Sequence, residues 1–387
     1  MMDAVRLAII GGMLWAAGAA ALVFGVLPPG DALAIGERVW PILLFVVAMT
    51  VVAELAAAAG LFGVCAAWLA RVSRGHGWLL WGLVFALAAV TTAFLSLDTT
   101  AVLLTPVVIA VARANGLPPL PFALTTVWVA NTGSLLLPVS NLTNLLARER
   151  LGGIDPWQFA ALLGPSAAAA LVVPAVILAL VFRRSIGTRY TPAAPPRVQD
   201  RPLLIASALV VGALLPLLLA GIEPWIPTLG AAAVLSACFA VRARRSLRPS
   251  LVPWQLVVFA GGLFLVVGAV EAWGAAAFTT AVAGGGDDLA DLWRLAGAGA
   301  ASANLLNNLP AYLALEATAD TPVRMAALLI GVNAGPLITP WASLATLLWH
   351  QRLVADGVHI AWSRFALLGA VAAPLTIAAA VVPLTWR

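Results

Sequence analysis

Apolar runs of about 18–25 residues recur from one end of this chain to the other, each long enough to cross a hydrocarbon layer ~30 Å thick. That feature decides the class of fold. Lipid offers no water to satisfy a bare backbone amide or carbonyl, so the chain can only form self-satisfied helices or a closed barrel. The short alternating strands of a barrel are missing from the sequence. The reading is therefore an all-α polytopic membrane protein. Of 387 residues, 63% are hydrophobic and 10% charged, against roughly a quarter charged in a soluble domain. A soluble enzyme, a nucleic-acid binder and a disordered scaffold are excluded.

Spans are predicted at 5–27, 39–70, 78–95, 99–112, 120–147, 157–182, 203–221, 225–241, 254–273, 292–306, 310–319, 323–349 and 361–384. The chain has no Lys, and its Arg residues collect in connectors: Arg71 and Arg74, Arg113, the Pro-rich stretch 183–201, and 242–248. Basic connectors mark the cytoplasmic face of a membrane protein, so the net charge of +5 calls for no anionic partner. Strict alternation of spans puts Arg71 and Arg74 on the side opposite the 183–201 linker. The conflict disappears if 78–95 and 99–112 form a re-entrant hairpin with both ends on the cytoplasmic side. A second hairpin, 292–319, then enters from outside, next to the Gly-rich acidic loop 274–291.

This topology makes 1–182 and 225–387 two copies of one unit inserted with opposite orientation, joined by a cytoplasmic Arg/Pro-rich linker and a joining helix within 183–224. Residues 131–146 align without gaps to 333–348, matching Asn131 with Asn333, Gly133 with Gly335 and Pro138 with Pro340. The fold class expected is two inverted-topology repeats, each with a re-entrant hairpin and a broken transmembrane helix. Inverted repeats with interrupted helices are the pattern of secondary transporters, which bind substrate near the midplane at the breaks.

Four polar clusters interrupt the apolar segments. They are Ser96-Leu-Asp98-Thr99-Thr100, the stretch Asn131 to Asn144 with Ser140 and Asn141, the stretch Ser302 to Pro310 with Asn304, Asn307 and Asn308, and the stretch Asn333 to Ser343 with Thr339. Pro and Gly free backbone groups there that lipid cannot satisfy, which is tolerated only around a cavity or inside protein. Each Asn, Ser or Thr taken alone could simply tie helices together. Four clusters at matching places in two repeats point to a binding site built from Ser96, Asp98, Thr99, Asn131, Ser140, Asn141, Asn304, Asn307, Asn308, Asn333, Thr339 and Ser343. Asp98, a carboxyl inside an apolar hairpin, is the expected proton carrier, with Glu54 as a second. Glu271, Glu316 and Asp320 lie near span or hairpin ends and are expected to be solvated. Cys65 and Cys238 are far apart within apolar segments, and with no His pair or HExxH motif the chain offers neither metal nor cofactor ligands and no enzyme.

At these clusters the chain resembles the arsenical pump membrane proteins, the ArsB-type arsenite/antimonite efflux permeases of the ion transporter superfamily. The resemblance is carried by Asp98-Thr-Thr-Ala-Val-Leu-Leu-Thr105-Pro106, Leu137-Pro-Val-Ser140-Asn141-Leu-Thr-Asn144, Pro253-Trp254-Gln255 and Asn307-Asn308-Leu-Pro310, and most specifically by the run from Gly335 to Trp349. It implies export of trivalent arsenic and antimony hydroxides in exchange for protons from a bacterial inner membrane, in some members beside a soluble ATPase subunit. This chain has Asn131 and Asn333 where the family carries Asp, which would leave more of the coupling to Asp98 and Glu54. The alternative within the superfamily is a sodium-coupled carboxylate or sulfate transporter, or a sodium/proton antiporter.

Overall fold

The computed structural model describes residues 2–194, 197–273 and 283–386, with side chains from residue 8 onward. Residues 195–196 of the linker and 274–282 of the Gly-rich loop lie outside the described residues. Among the described residues the chain forms helices and turns, and eight helices are long and apolar enough to cross a membrane. The helices of the first half, spanning or shorter, are α1 (Met2–Val23), α2 (Pro29–Ala58), α3 (Leu61–Val72), α4 (Gly77–Leu95), α5 (Leu97–Ala114), α6 (Pro119–Thr132), α7 (Leu142–Arg150) and α8 (Pro156–Ile186). The second half continues with α9 (Arg201–Leu219), α10 (Trp225–Arg242), α11 (Trp254–Ala272), α12 (Leu289–Leu305), α13 (Asn308–Leu315), α14 (Pro322–Ala334), α15 (Leu344–Ala355) and α16 (Trp362–Val381).

The predicted span 39–70 is two helices. Pro29, with its preset φ at the first helical position, starts α2 earlier than expected. Gly60, at φ +86°, ends the run and redirects the chain into α3.

The α4–α5 hairpin is re-entrant. At its start the Gly77 amide donates to the Thr188 carbonyl (3.1 Å) and the Tyr190 amide to the Gly75 carbonyl (2.9 Å). At its end Asn115 Oδ1 accepts from the Ala193 amide (2.9 Å). Both ends therefore lie against the linker. Asp200, at the linker's far end, caps α9 and pairs with Arg242 (2.9 Å), which puts the 242–248 run on this face as well. The Leu203 amide, and after it the Arg242 guanidinium, hold the exposed Asp200 carboxyl below the usual carboxylate range. We call this the basic face.

The α12–α13 hairpin enters from the opposite face. Arg324 at the start of α14 donates to the Gly286 (2.6 Å) and Gly284 (2.7 Å) carbonyls, and Thr321 Oγ1 to Asp287 Oδ1 (2.9 Å). These bonds bring the beginning and the end of the second hairpin together. Two hydrophobic bodies result. One holds α2, α7, the second hairpin, α14 and the tip of the first hairpin; the other holds the rest of the first hairpin, α6 and the buried face of α15, and α8 and α16 contribute to both.

Close approach of α12 and α14 depends on Gly331, where a Cβ would run into the Ala296 backbone carbonyl. Gly331→Ala is expected to destabilise the protein by about 1–3 kcal/mol, the cost of overpacking a tight contact. Gly297→Ala, on the same α12 but in open space, is expected to leave it unchanged or firmer. Thermal melts of the two variants in one detergent check the difference.

Candidate functional site

The two hairpin tips share a local device. Ser96 and Asn307 are non-glycine residues with positive φ, +88° and +141°. Each caps the arm that follows: Ser96 Oγ accepts from the Thr99 amide and Asn307 Oδ1 from the Leu309 amide, both at 3.4 Å. Holding a side-chain-bearing residue there costs about 1–3 kcal/mol, a strain that concentrates at functional sites. In the first hairpin Pro106 lacks the amide that would bond Val102, and the helix widens into a π turn over Thr100–Leu104.

The breaks in the long helices lie between α6 and α7 and between α14 and α15. Asn131, in the last turn of α6, donates from Nδ2 to Thr346 Oγ1 of α15 (3.4 Å). Asn333, in the last turn of α14, donates to Asn144 Oδ1 of α7 (2.8 Å). The gapless repeat alignment relates these two bonds to each other, so each broken helix is held by its counterpart in the other repeat. Asn333 Oδ1 also accepts from Asn141 Nδ2 (2.8 Å) and Thr143 Oγ1 (3.0 Å). The equivalent positions in the second repeat are Ser343 and Ala345, so Asn131 Oδ1 and Ser343 Oγ are buried without a partner. The orientation of the Asn131 amide is fixed, because Nδ2 faces the Val127 carbonyl at 2.9 Å and a carbonyl only accepts.

Three adjoining cavities line up along α2. The central one, about 280 Å³, lies between the tips and breaks and is lined by Ser96, Asp98, Asn141, Asn307, Asn308 and Ser343 together with Phe45, Met49 and Thr50 of α2. Toward the basic face it adjoins a cavity of about 510 Å³ with Glu54, Thr99, Gln351 and Arg352 in its wall. Thr50 and Asp98 line both. Toward the opposite face a third cavity of about 260 Å³ holds Glu37, Arg38, Arg148 and Glu223. Buried Phe45 lies in the walls of both the third and the central cavity.

Of the residues expected to form the site, Ser96, Asp98, Asn141, Asn307, Asn308 and Ser343 face the central cavity, and Glu54 and Thr99 the one beside it. The other five lie behind that wall. Besides Asn131 and Asn333 at the crossing bonds, Ser140 Oγ donates to the Ala93 carbonyl (3.0 Å) and so ties the first break to the first tip. Asn304 donates to the Gly335 carbonyl (2.9 Å) and Thr339 Oγ1 to the Asn304 carbonyl (2.9 Å), which does the same in the second repeat.

Glu316, expected to be solvated, is buried. Arg38 of α2 pairs with its carboxylate, Tyr312 Oη donates to it (2.9 Å), and Arg38 Nη2 also reaches the Leu146 carbonyl of α7 (3.2 Å). Arg38 fell just outside a predicted span, and its partner is 278 residues away. The Glu37-Arg38 charge pair leading into an apolar run was the available signal.

Inverted repeats with broken helices around a cavity are the architecture of a secondary transporter. The CitMHS family profile, described as citrate transporter, matches residues 2–346. The arsenical pump membrane protein of Escherichia coli K12 is 33% identical over 377 residues, covering 89% of this chain and 86% of its own length. That of Yersinia enterocolitica is 32% identical over 381 residues, covering 90% and 86%. The chain therefore belongs to the family of ArsB-type membrane transporters that this profile covers, a multi-pass protein of the bacterial inner membrane. In fold it is similar to the Alcanivorax borkumensis YdaH transporter, with a TM-score of 0.58 over 99% of this chain and 98% of that one at 16% identity.

Asn333→Ala removes three buried side-chain bonds and strands their partners, whereas Asn131→Ala removes one long side-chain bond and one to a carbonyl. Asn333→Ala is expected to cost about 2–4 kcal/mol and Asn131→Ala about half of that. Parallel denaturation curves check the order, and equal losses would contradict it.

Proposed function

We propose that the protein exports trivalent metalloid hydroxides, arsenite and antimonite, in exchange for protons by alternating access. The observation that carries this reading is the lining of the central cavity. Its polar groups are amides and hydroxyls with one carboxyl, Asp98, and no Arg or His lies among the described lining residues. Such groups donate and accept without fixed charge and suit a small neutral trihydroxide. A tricarboxylate would ask for cationic donors. The names of the relatives, arsenical pumps, point the same way.

The basic face is taken as cytoplasmic, with residues 183–224 as cytoplasmic linker and joining helix between the repeats 1–182 and 225–387. The solute then enters from the cytoplasm through the larger cavity and is held between the two tips and the two breaks. An uncharged solute feels no membrane potential, so uphill export needs a coupled ion. Asp98, in the wall shared by the two cavities, takes the incoming proton, with Glu54 on the route to the cytoplasm. A second reading, sodium coupling, is favoured by one feature: the buried Asn131 Oδ1 is an acceptor with no donor, at the negative end of α6.

Proteoliposomes carrying the wild type are expected to move arsenite when a pH gradient is imposed, and those carrying Asp98→Asn to fall to the level of empty liposomes. Transport that persists in Asp98→Asn would shift the coupling to Glu54. Flux that follows a sodium gradient and ignores the pH gradient would replace the proton reading.

A further inference from the structure

Resting on the transport reading above, we propose that α2 carries two alternative ion pairs, Arg38–Glu316 and Glu54–Arg352, of which one is made at a time. Each closes one mouth of the path. The first is made in this structure. It joins α2 to the base of the second hairpin and, through the Leu146 carbonyl, to α7. Phe45 lies beneath the pair, in the wall shared by the third cavity and the central one.

The second pair is open. Glu54 and Arg352 line the same cavity, yet no ion pair joins them among the described residues. They sit on helices of different hydrophobic bodies: Val52, Ala53 and Leu55 flank Glu54 in one, Trp349 and Leu353 flank Arg352 in the other. The unmade pair thus lies where the two clusters of buried side chains meet. Arg38 and Glu54 are sixteen residues apart on α2, about 24 Å along a helix at 1.5 Å per residue, close to the thickness of the hydrocarbon layer. One helix therefore presents a cation at one mouth and an anion at the other. The partners come from other elements, Glu316 from the base of the second hairpin and Arg352 from α15. Closing the Glu54–Arg352 seam draws α15 toward α2, and the displacement needed to open the other side separates Arg38 from Glu316.

The test uses no substrate, so its outcome is independent of whether arsenite is the solute. In a Cys65→Ala/Cys238→Ala background in nanodiscs, Leu348→Cys in the basic-face cavity reports that mouth through its rate of labelling by a membrane-impermeant maleimide. Arg38→Ala or the milder Glu316→Gln is expected to slow labelling about tenfold as the population moves to the other state. Adding Arg352→Gln is expected to restore the original rate, because the alternative pair can no longer form. Labelling unchanged by Arg38→Ala and by Glu316→Gln, or not restored by Arg352→Gln, overturns the proposal. Independently, a Glu54→Cys/Arg352→Cys pair is expected to cross-link under mild oxidation, faster when Glu316→Gln is present. Absence of the cross-link in every background would also overturn it.

Discussion

Two broken helices inside a membrane pose one physical problem on which the rest of this structure turns. At each break the chain gives up its own hydrogen bonds where lipid offers none in return, and an unsatisfied backbone group there costs several kcal/mol. The solution is reciprocal. An Asn at the end of the first half-helix of each repeat bonds to the second half-helix of the other repeat, Asn131 to Thr346 and Asn333 to Asn144. Asn144 also takes up two carbonyls of its own break, those of Ser134 (2.6 Å) and Leu137 (3.0 Å). Hairpin tips are then tied to the breaks, through Ser140 in one repeat and through Asn304, Asn307 and Asn308 in the other. The cavity is what remains between elements that must meet there for their backbones to be satisfied.

The two halves of this lock are not equal. The first repeat brings Asn141, Thr143 and Asn144 to the crossing, and the second brings Ser343, Ala345 and Thr346. At the crossing the shorter side chains give α15 one long bond, against three good ones for α7, and α15 is held besides by Trp349 Nε1 donating to the Ala123 carbonyl of α6 (2.8 Å). α7 carries the carbonyl that receives Arg38, and α15 carries Arg352. Internal symmetry is thus broken at the crossing itself, one break being closed by three side-chain bonds and the other by a single long one.

Much of this was legible in the sequence. Long apolar runs required helices, Arg71 and Arg74 against the 183–201 linker required a hairpin that turns back, and matched Asn, Gly and Pro gave the repeat. Polar residues within apolar runs located the tips and breaks, but they could not separate Asn141 and Asn308, which face the cavity, from Asn304 and Asn333, which hold its walls. Both kinds are Asn in broken helices, and the difference lies only in where each amide finds its partners. Glu316 was misread because burial of a charge depends on its partner, and nothing local to Glu316 announces Arg38. The α2 wall of Phe45, Met49 and Thr50 was invisible for a related reason: in a helix that is apolar all round, periodicity does not mark the face turned to a cavity.

A half-buried ion pair such as Arg38–Glu316 is poor evidence for stability, because desolvating the charges offsets most of their attraction. Breaking it without replacement is costly, since either charge left alone in that setting is unfavourable. The same pair is therefore well suited to selecting between states and poorly suited to holding one permanently. Its net stabilisation of the closed mouth is small, so a second pair of similar quality at the other end of α2 is enough to balance it. The cost of leaving both open at once disfavours a continuous leak. A carrier for a small uncharged solute depends on that exclusion, because such a solute has no charge by which a half-closed path could reject it.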